Sequence, residues 1–283
     1  MASFDTLAQA IKAAEPGLSF TILEIGALPV AGAAEPFHSL LDAFPGSQIV
    51  AFELDPGLCE TLNKHLPKAM RYHAAALGRR EETRPLYETV SPMCTSLYRP
   101  NEALLGLYNH LEVSMLKSIG SVETVSLDRF TGDHGVTDVD FIKIDVQGAE
   151  LDVFEGGIRT IGDTLAIMSE VEFVPVYIDQ PLFGDVCRFL SQQGLMFHKF
   201  TSFGGRSLRP TILNQDPTFP VQLLWADGMF IRDVQKLRAL SGPKLLKLSV
   251  LAQLYDSPDL TLHCLALYDE QHATQLVQTM LQQ

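Results

Sequence analysis

Cysteine is scarce in this 283-residue chain: four residues, at 59, 94, 187 and 264, with no CxxC and no Cys/His ligand spacing. That excludes a zinc cluster or a disulfide framework and fits a reducing compartment. Positive charge is also short, with 21 Lys and Arg against 34 Asp and Glu and a net charge of −13. A surface of that sign repels phosphate backbones and anionic lipid, so nucleic acid is not an expected partner. No run of about 18 apolar residues occurs, and no membrane insertion is expected. The opening MASFDTLAQAIKAAEPG lacks the basic n-region and unbroken apolar core of a signal peptide, and a cytoplasmic protein is expected. Repeats and low-complexity segments are missing too.

Hydrophobic residues make up 46% of the chain and charged residues 19%, enough for a sizeable buried core. Apolar runs rich in β-branched residues at 20–25, 49–54, 70–77, 140–146 and 164–171 predict strands. Helical spacing at 4–14, 37–43, 58–65, 149–161 and 182–193 predicts helices, most of them between those strands. Such alternation with short links predicts a doubly wound α/β sheet, mostly parallel and covered on both faces. Residues 79–120, with Pro85, Pro92 and Pro100, predict an insertion holding a turn and one helix near 101–118. Strands are expected again at 195–200 and 221–231 around a loop at 204–220, the second interrupted at Ala226-Asp227-Gly228. Leucines at helical spacing after Asp233 predict a helical extension packed on the same domain, giving an expected division into 1–232 and 233–283.

Ligands of such sheets bind at the carboxyl ends of the strands, so the residues there carry the functional signal. The first strand ends in Glu24-Ile25-Gly26, and the second in Glu53, an acid placed to accept hydrogen bonds from ribose hydroxyls. The loop after Gly26 lacks the remaining glycines of G-x-G-x-x-G, and Pro29 removes an N–H that would cradle phosphate. That disfavours a nicotinamide dinucleotide and leaves a nucleoside without phosphates, such as S-adenosylmethionine, while Gly26 could also serve a tight turn alone. The strongest text is DFIKIDVQGAELDVFEG at 140–156. Lys143 and Asp145 share one face of an apolar strand, with Asp145 at its end, Gly148 allowing a sharp turn and Glu150 in the first turn of a helix. A structural ion pair of Lys143 with a nearby acid is the alternative use.

The segment IKIDVQGAELDVFEG resembles the signature of the FkbM-type S-adenosylmethionine-dependent methyltransferases, and its neighbours agree in collinear order over about residues 20–232. They are FTILEIGA, IVAFELDP, AAALG, VSLDRF, SEVEFVPVY and QLLWADGMFIRD. The resemblance implies a class I methyltransferase (Rossmann-like) sheet of seven strands with an antiparallel last strand, and methyl transfer to oxygen, often on hydroxyls of glycans or polyketide-type metabolites. It implies that Glu24, Gly26 and Ala27 face the methionine portion of S-adenosylmethionine. It also implies that Glu53 and Leu54 hold the ribose, that Ala75 and Ala76 flank the adenine, and that Asp145 lies near the sulfonium. The family's first loop carries an Asn and a further Gly, where this chain reads GALPVAG, so a different backbone approach to the cofactor is expected there.

A hydroxyl nucleophile calls for a general base. Asp145 is the first candidate, and Glu170 and Glu172, on one face of an extended strand, are the next, since paired carboxylates raise one another's pKa. A solvated strand edge is the plainer use for that pair. These three acids have the oxygen donors that a divalent cation takes, but no metal is predicted. His73 reads as a core histidine, and His110 and His198 are no better candidates. Residues 91–100, with Cys94, Thr95, Ser96 and Tyr98, are either part of a lid or a surface loop. Phe197, Phe200 and Phe203 are either pocket or core. The Leu-rich tail packs on its own sheet or on a second copy in a homodimer. The expected activity is O-methylation of a small-molecule or glycan acceptor. The alternative is a non-catalytic methyltransferase-fold protein acting as an interaction or assembly partner.

Overall fold

The computed structural model describes residues 3–29 and 35–282. Val30, Ala31 and Gly32, where the first loop departs from its family pattern, lie outside the described residues. The strands are β1 (Thr21–Ile25), β2 (Gln48–Glu53), β3 (Met70–Ala74), β4 (Ala76–Gly78) and β5 (Glu82–Thr89), followed by β6 (Leu116–Ser126), β7 (Phe141–Ile144), β8 (Ala166–Glu172), β9 (Leu195–Arg206) and β10 (Gln222–Arg232). Seven of them form one sheet in the order β3-β2-β1-β7-β8-β10-β9. Pairing is parallel from β3 to β8, and β10 runs antiparallel to both β8 and β9. The fold is thus mixed α/β with a large, mostly parallel sheet.

Side-chain alternation divides the core into two layers. Ile22, Ile49, Ala51, Phe141 and Met168 face one side, where the helices Phe4–Ala14, Gly242–Leu254 and Pro258–His272 bury Leu7, Ile11, Leu245, Leu248 and Leu265 against them. Leu23, Ile25, Phe52, Ile142 and Ile144 face the other, under shorter helices that contribute Phe130, Val153, Phe154, Val186 and Leu190. The helix Gly242–Leu254 is buried nearly all round, as expected of a helix between the sheet and other helices, while Pro258–His272 keeps an exposed polar face at Asp259, His263 and Glu270. A polar clamp fixes them: the buried Asp140 carboxylate accepts hydrogen bonds from the Thr21 N–H at 3.0 Å and the Lys247 ammonium at 2.8 Å. Losing either charge would strand the other in the interior, at a cost of about 3–5 kcal/mol.

The structure corrects several sequence expectations. Residues 70–77 are two strands rather than one, because the Ala75 N–H makes its bond to the Glu53 carbonyl (3.2 Å) and the chain then leaves the large sheet. β4 joins a second sheet of order β4-β6-β5, in which β5 and β6 are antiparallel. Of the region expected to be a helix near 101–118, Glu112–Ser114 is a 3-10 turn and only Glu102–Leu105 is α-helical. Beyond it, residues 107–109 pair instead with 207–209, through Asn109 N–H to Ser207 O (3.1 Å) and Arg209 N–H to Leu107 O (2.8 Å). The expected helix 149–161 is two, Glu150–Glu155 and Ile158–Asp163, broken where a Cβ on Gly156 would overlap the Gly78 carbonyl. β9 runs on to Arg206, and β10 passes through Asp227 unbroken, with only a shift of register against β9 between Asp227 and Gly228. Among the described residues no helix is long and apolar enough to cross a membrane.

Candidate functional site

β1, β2 and β7 end side by side, and their last residues form one rim. The Ala27 N–H donates to the Phe52 carbonyl and the Asp145 N–H to the Ile25 carbonyl, both at 2.9 Å, so the ladder continues past each strand end. At Gly26 the backbone has φ +77°, and a Cβ would overlap the Asp145 carbonyl. Glycine is required here by both conformation and space. Across the rim, Glu53 Oε1 accepts hydrogen bonds from the N–H groups of Leu54 (2.7 Å) and Asp55 (3.3 Å). Among the described residues its other oxygen has no hydrogen-bond partner, which fixes the carboxylate while leaving one face able to accept from a ligand.

Above this rim lies an open cleft with a mostly apolar lining. Gly26, Glu53, Leu54, Ala75, Ala76 and Asp145 all line it. Its outer wall is Pro92, Met93, Thr95, Ser96 and Leu97, so the segment weighed as a lid closes this cleft. Ser96 Oγ donates to the Gln147 carbonyl at 2.6 Å and ties that wall to the turn after β7. Ala27 is buried behind the rim, and Glu24 turns away from the cleft, 3.0 Å from His38 Nε2.

A second cavity, of about 1060 Å³, opens on the other side of Asp145, and Asp145 lines both. Its remaining walls include Glu35, Lys143, Glu170, Asp227, Phe200, Trp225 and Tyr255. Strand geometry places three of these: Lys143 follows Phe141 on one face of β7, and Glu170 pairs in register with Asp227 across β8 and β10. The Lys143 ammonium stands 3.6 Å from Asp145 Oδ2. Burial opposes its charge, but Asp145, Asp227, Glu35 and Glu170 outweigh that and push the Lys143 pKa up. Burial, then the charges of Asp145, Glu172 and Glu150, push Glu170 well above the usual carboxylate range.

Gln147 organises the centre. Its Nε2 donates to Asp145 Oδ1 (2.7 Å) and to Glu170 Oε2 (2.8 Å), while its Oε1 accepts from the Tyr177 hydroxyl (2.8 Å). To do so it adopts φ +57°, costly for a non-glycine residue, and Gly148 follows at +92°. The turn is held from below by the buried Glu150, whose Oε1 accepts from the Val146 N–H (2.8 Å) and the Gly148 N–H (3.3 Å). Burial raises the Glu150 pKa to about 7 against the pull of those bonds.

Asp145 and Glu170 therefore both line the second cavity, whereas Glu172 is buried and lines neither, although its charge acts on Glu170. Burial first, and then neighbouring carboxylates, raise the Glu172 pKa strongly, so this strand end is not a solvated edge. Phe200 lines the second cavity, Phe197 packs in the core and Phe203 is exposed. His73 rests against Phe130 and His134 (ring centroids 5.1 and 5.2 Å), and His198 bonds Ser257. Sequence reasoning missed Gln147, Glu35, Trp225 and Tyr255 as site residues. Gln147 sat inside the signature, and Asp227, read only as a strand interruption, was a lone charge in an apolar run. Among the described residues no group of three or more His, Cys, Asp and Glu is arranged to hold a metal ion.

The FkbM methyltransferase domain matches residues 24–195 of the chain. No curated protein matches it significantly. Among solved structures, the chain is similar to the FkbM methyltransferase of Methylobacillus flagellatus KT, at 12% identity and a TM-score of 0.39, over 81% of this chain and 48% of that one. It is also similar to LepI in complex with SAM, at 8% identity and a TM-score of 0.33, over 80% of this chain and 46% of that one. EvdMO1 aligns at 9% identity and a TM-score of 0.34, over 83% of this chain and 42% of that one. The chain thus spans about half the length of these structures. With the domain match extending over more than half of its residues, the chain belongs to the FkbM methyltransferase family.

Proposed function

We propose that the protein transfers a methyl group from S-adenosylmethionine to a hydroxyl oxygen of a carbohydrate or related hydroxylated acceptor. The observation that carries this reading is the meeting of two differently lined cavities at one carboxylate, Asp145. The first suits a nucleoside: a glycine that no other residue can replace without overlap, a carboxylate with one oxygen unengaged, and the small Ala75 and Ala76 where a flat base needs room. Gly26, Glu53, Leu54, Ala75 and Ala76 would hold the cofactor there, with Asp145 at the end facing the second cavity. When bound, the cofactor supplies a methyl group on a sulfonium, open to in-line displacement by an oxygen nucleophile.

The protein's own work is positioning and proton removal. Alignment in a closed site supplies up to about 7–11 kcal/mol of such a barrier. In that reaction the acceptor hydroxyl's proton would pass to the Asp145 carboxylate, leaving the oxygen free to accept the methyl group. A positioned base contributes about two to four orders of magnitude. Gln147 fixes the direction of Asp145, and Lys143 offsets its charge beside Glu170, which retains its proton further toward neutral pH.

Calorimetric titration with S-adenosylmethionine and S-adenosylhomocysteine tests the reading. Low-micromolar binding is expected, weakened about tenfold or more by Glu53→Ala, the loss of hydrogen bonds to a charged group. No heat and no thermal stabilisation at millimolar cofactor would contradict it and favour a non-catalytic role.

A further inference from the structure

Taking the second cavity as the acceptor site, we propose that it selects a cationic acceptor, an ammonium-bearing polyhydroxylated molecule whose ammonium sits at Glu35 and Asp227 and whose hydroxyl meets Tyr255. The inference rests on the methyl-transfer reading only in treating this cavity as the acceptor's. Five acidic residues line it, Glu35, Asp145, Glu170, Asp227 and Asp256, against two lysines, Lys143 and Lys199, so that with Glu170 protonated the acids still outnumber the ammoniums four to two. Both ammoniums are engaged: Lys143 pairs with Asp145 (3.6 Å), and Lys199 donates to the Asp256 carbonyl (2.9 Å). On the acidic side Asp227 Oδ2 accepts from the Ser202 hydroxyl (2.5 Å), and the Glu35 carboxylate has no partner among the described residues. Burial pushes the Glu35 pKa up, with Glu24 and Asp227 adding to the rise and Lys143 opposing it, so a further cation there would be stabilising.

Tyr255 is an independent observation. Its side chain is 9% exposed and lines the cavity, and its hydroxyl is buried with no hydrogen-bond partner among the described residues. Burial, and then the charges of Glu35, Asp227 and Glu24, raise its pKa, and no hydrogen bond joins the hydroxyl to any of these acids. Buried polar groups are seldom left unpaired, and a ligand that bridges this hydroxyl and the Glu35 and Asp227 carboxylates would satisfy all three. An ammonium carries three donors and no acceptor, which matches such a set, and a neighbouring hydroxyl can both donate and accept. Phe200 and Trp225 give an aromatic wall, favourable to a cation and to the apolar face of a sugar ring.

The test is calorimetry on the full chain without cofactor, using the methyl glycosides of 2-amino-2-deoxyglucose, glucose and glucuronic acid as cationic, neutral and anionic probes. The amino glycoside is expected to bind about tenfold or more tightly than the neutral one, as for a charged hydrogen bond, with the glucuronide weakest. Asp227→Asn and Glu35→Gln should each remove most of that preference. Tyr255→Phe should weaken the amino and neutral probes alike. Should a variant fail to fold, the wild-type preference must still shrink with added salt, because a charge-based preference is screened. Equal or tighter binding of the neutral or anionic probe, a salt-independent preference, or no binding of the amino glycoside overturns the inference. Cofactor binding without an amine preference defeats this inference alone, whereas an amine preference without cofactor binding defeats the methyl-transfer reading alone.

Discussion

The two cavities that meet at Asp145 are built in opposite ways. The first is walled mostly by apolar and small side chains, Ile25, Leu28, Phe52, Ala75, Ala76 and Leu97, with Glu53 fixed by backbone N–H groups at its edge. The second is walled by carboxylates and ammoniums whose charges compete, and burial raises Glu35 and Glu170 together. An apolar cleft with one anchored acid recognises shape and a few hydroxyls, whereas a charged cavity recognises charge and can hold a proton in transit. Under the proposed function, this difference divides binding and chemistry between the two sides of one strand end.

Substitutions can break that division, and the largest effect is expected at the shared residue. Asp145→Asn should lower turnover by about two to four orders of magnitude, measured as S-adenosylhomocysteine release with an accepted hydroxylated substrate. It should change cofactor affinity far less than turnover, and a parallel loss of both would show that the two sides are not separable. Gly26→Ala comes next. It places a Cβ onto the Asp145 carbonyl at a positive φ, and the strain of about 1–3 kcal/mol or more should weaken cofactor binding roughly tenfold to a hundredfold and lower the melting temperature. An unchanged titration would mean that the first cavity is not the cofactor's.

The smallest effect is one of pH. Glu150 has its folded pKa raised to about 7, above its unfolded value, so the folded state binds the extra proton. Its contribution to stability is present in full below the unfolded carboxylate range and is lost as pH rises toward about 7. Glu150→Gln keeps an acceptor for the Val146 and Gly148 N–H groups but cannot ionise. The variant should therefore melt a few degrees above the wild type at pH 8, with the difference shrinking as pH falls and vanishing by about pH 4. A difference that persists at low pH would place its cause in packing rather than in the buried charge.

The same contrast explains what could be read from the sequence. The first cavity is made of residues at or next to consecutive strand ends, so Gly26, Glu53 and Asp145 follow from finding the strands, whereas Ala75 and Ala76 come only from the family resemblance, inside a segment read as one strand. The second collects Glu35, Lys143, Glu170, Asp227 and Tyr255 from five separate segments, which only the crossing of β7, β8 and β10 beneath the tail helices brings together. Lys143 and Asp145 were visible because two charges interrupt an apolar strand. Tyr255 was not, since a tyrosine at the end of a Leu-rich helix looks like any core aromatic. The second sheet was hidden for another reason: β5 and β6 carry polar residues on both faces, so no alternation of apolar residues marks them.

Hydrogen–deuterium exchange with and without S-adenosylhomocysteine tests the division most directly. Protection is predicted at 25–28, 52–55, 75–77 and 92–97, the segments of the first cavity, and at the shared turn 145–147. Segments 199–201, 225–227 and 254–256, which line the second cavity alone, should exchange as before. Protection of these second-cavity segments in place of the first would contradict the account.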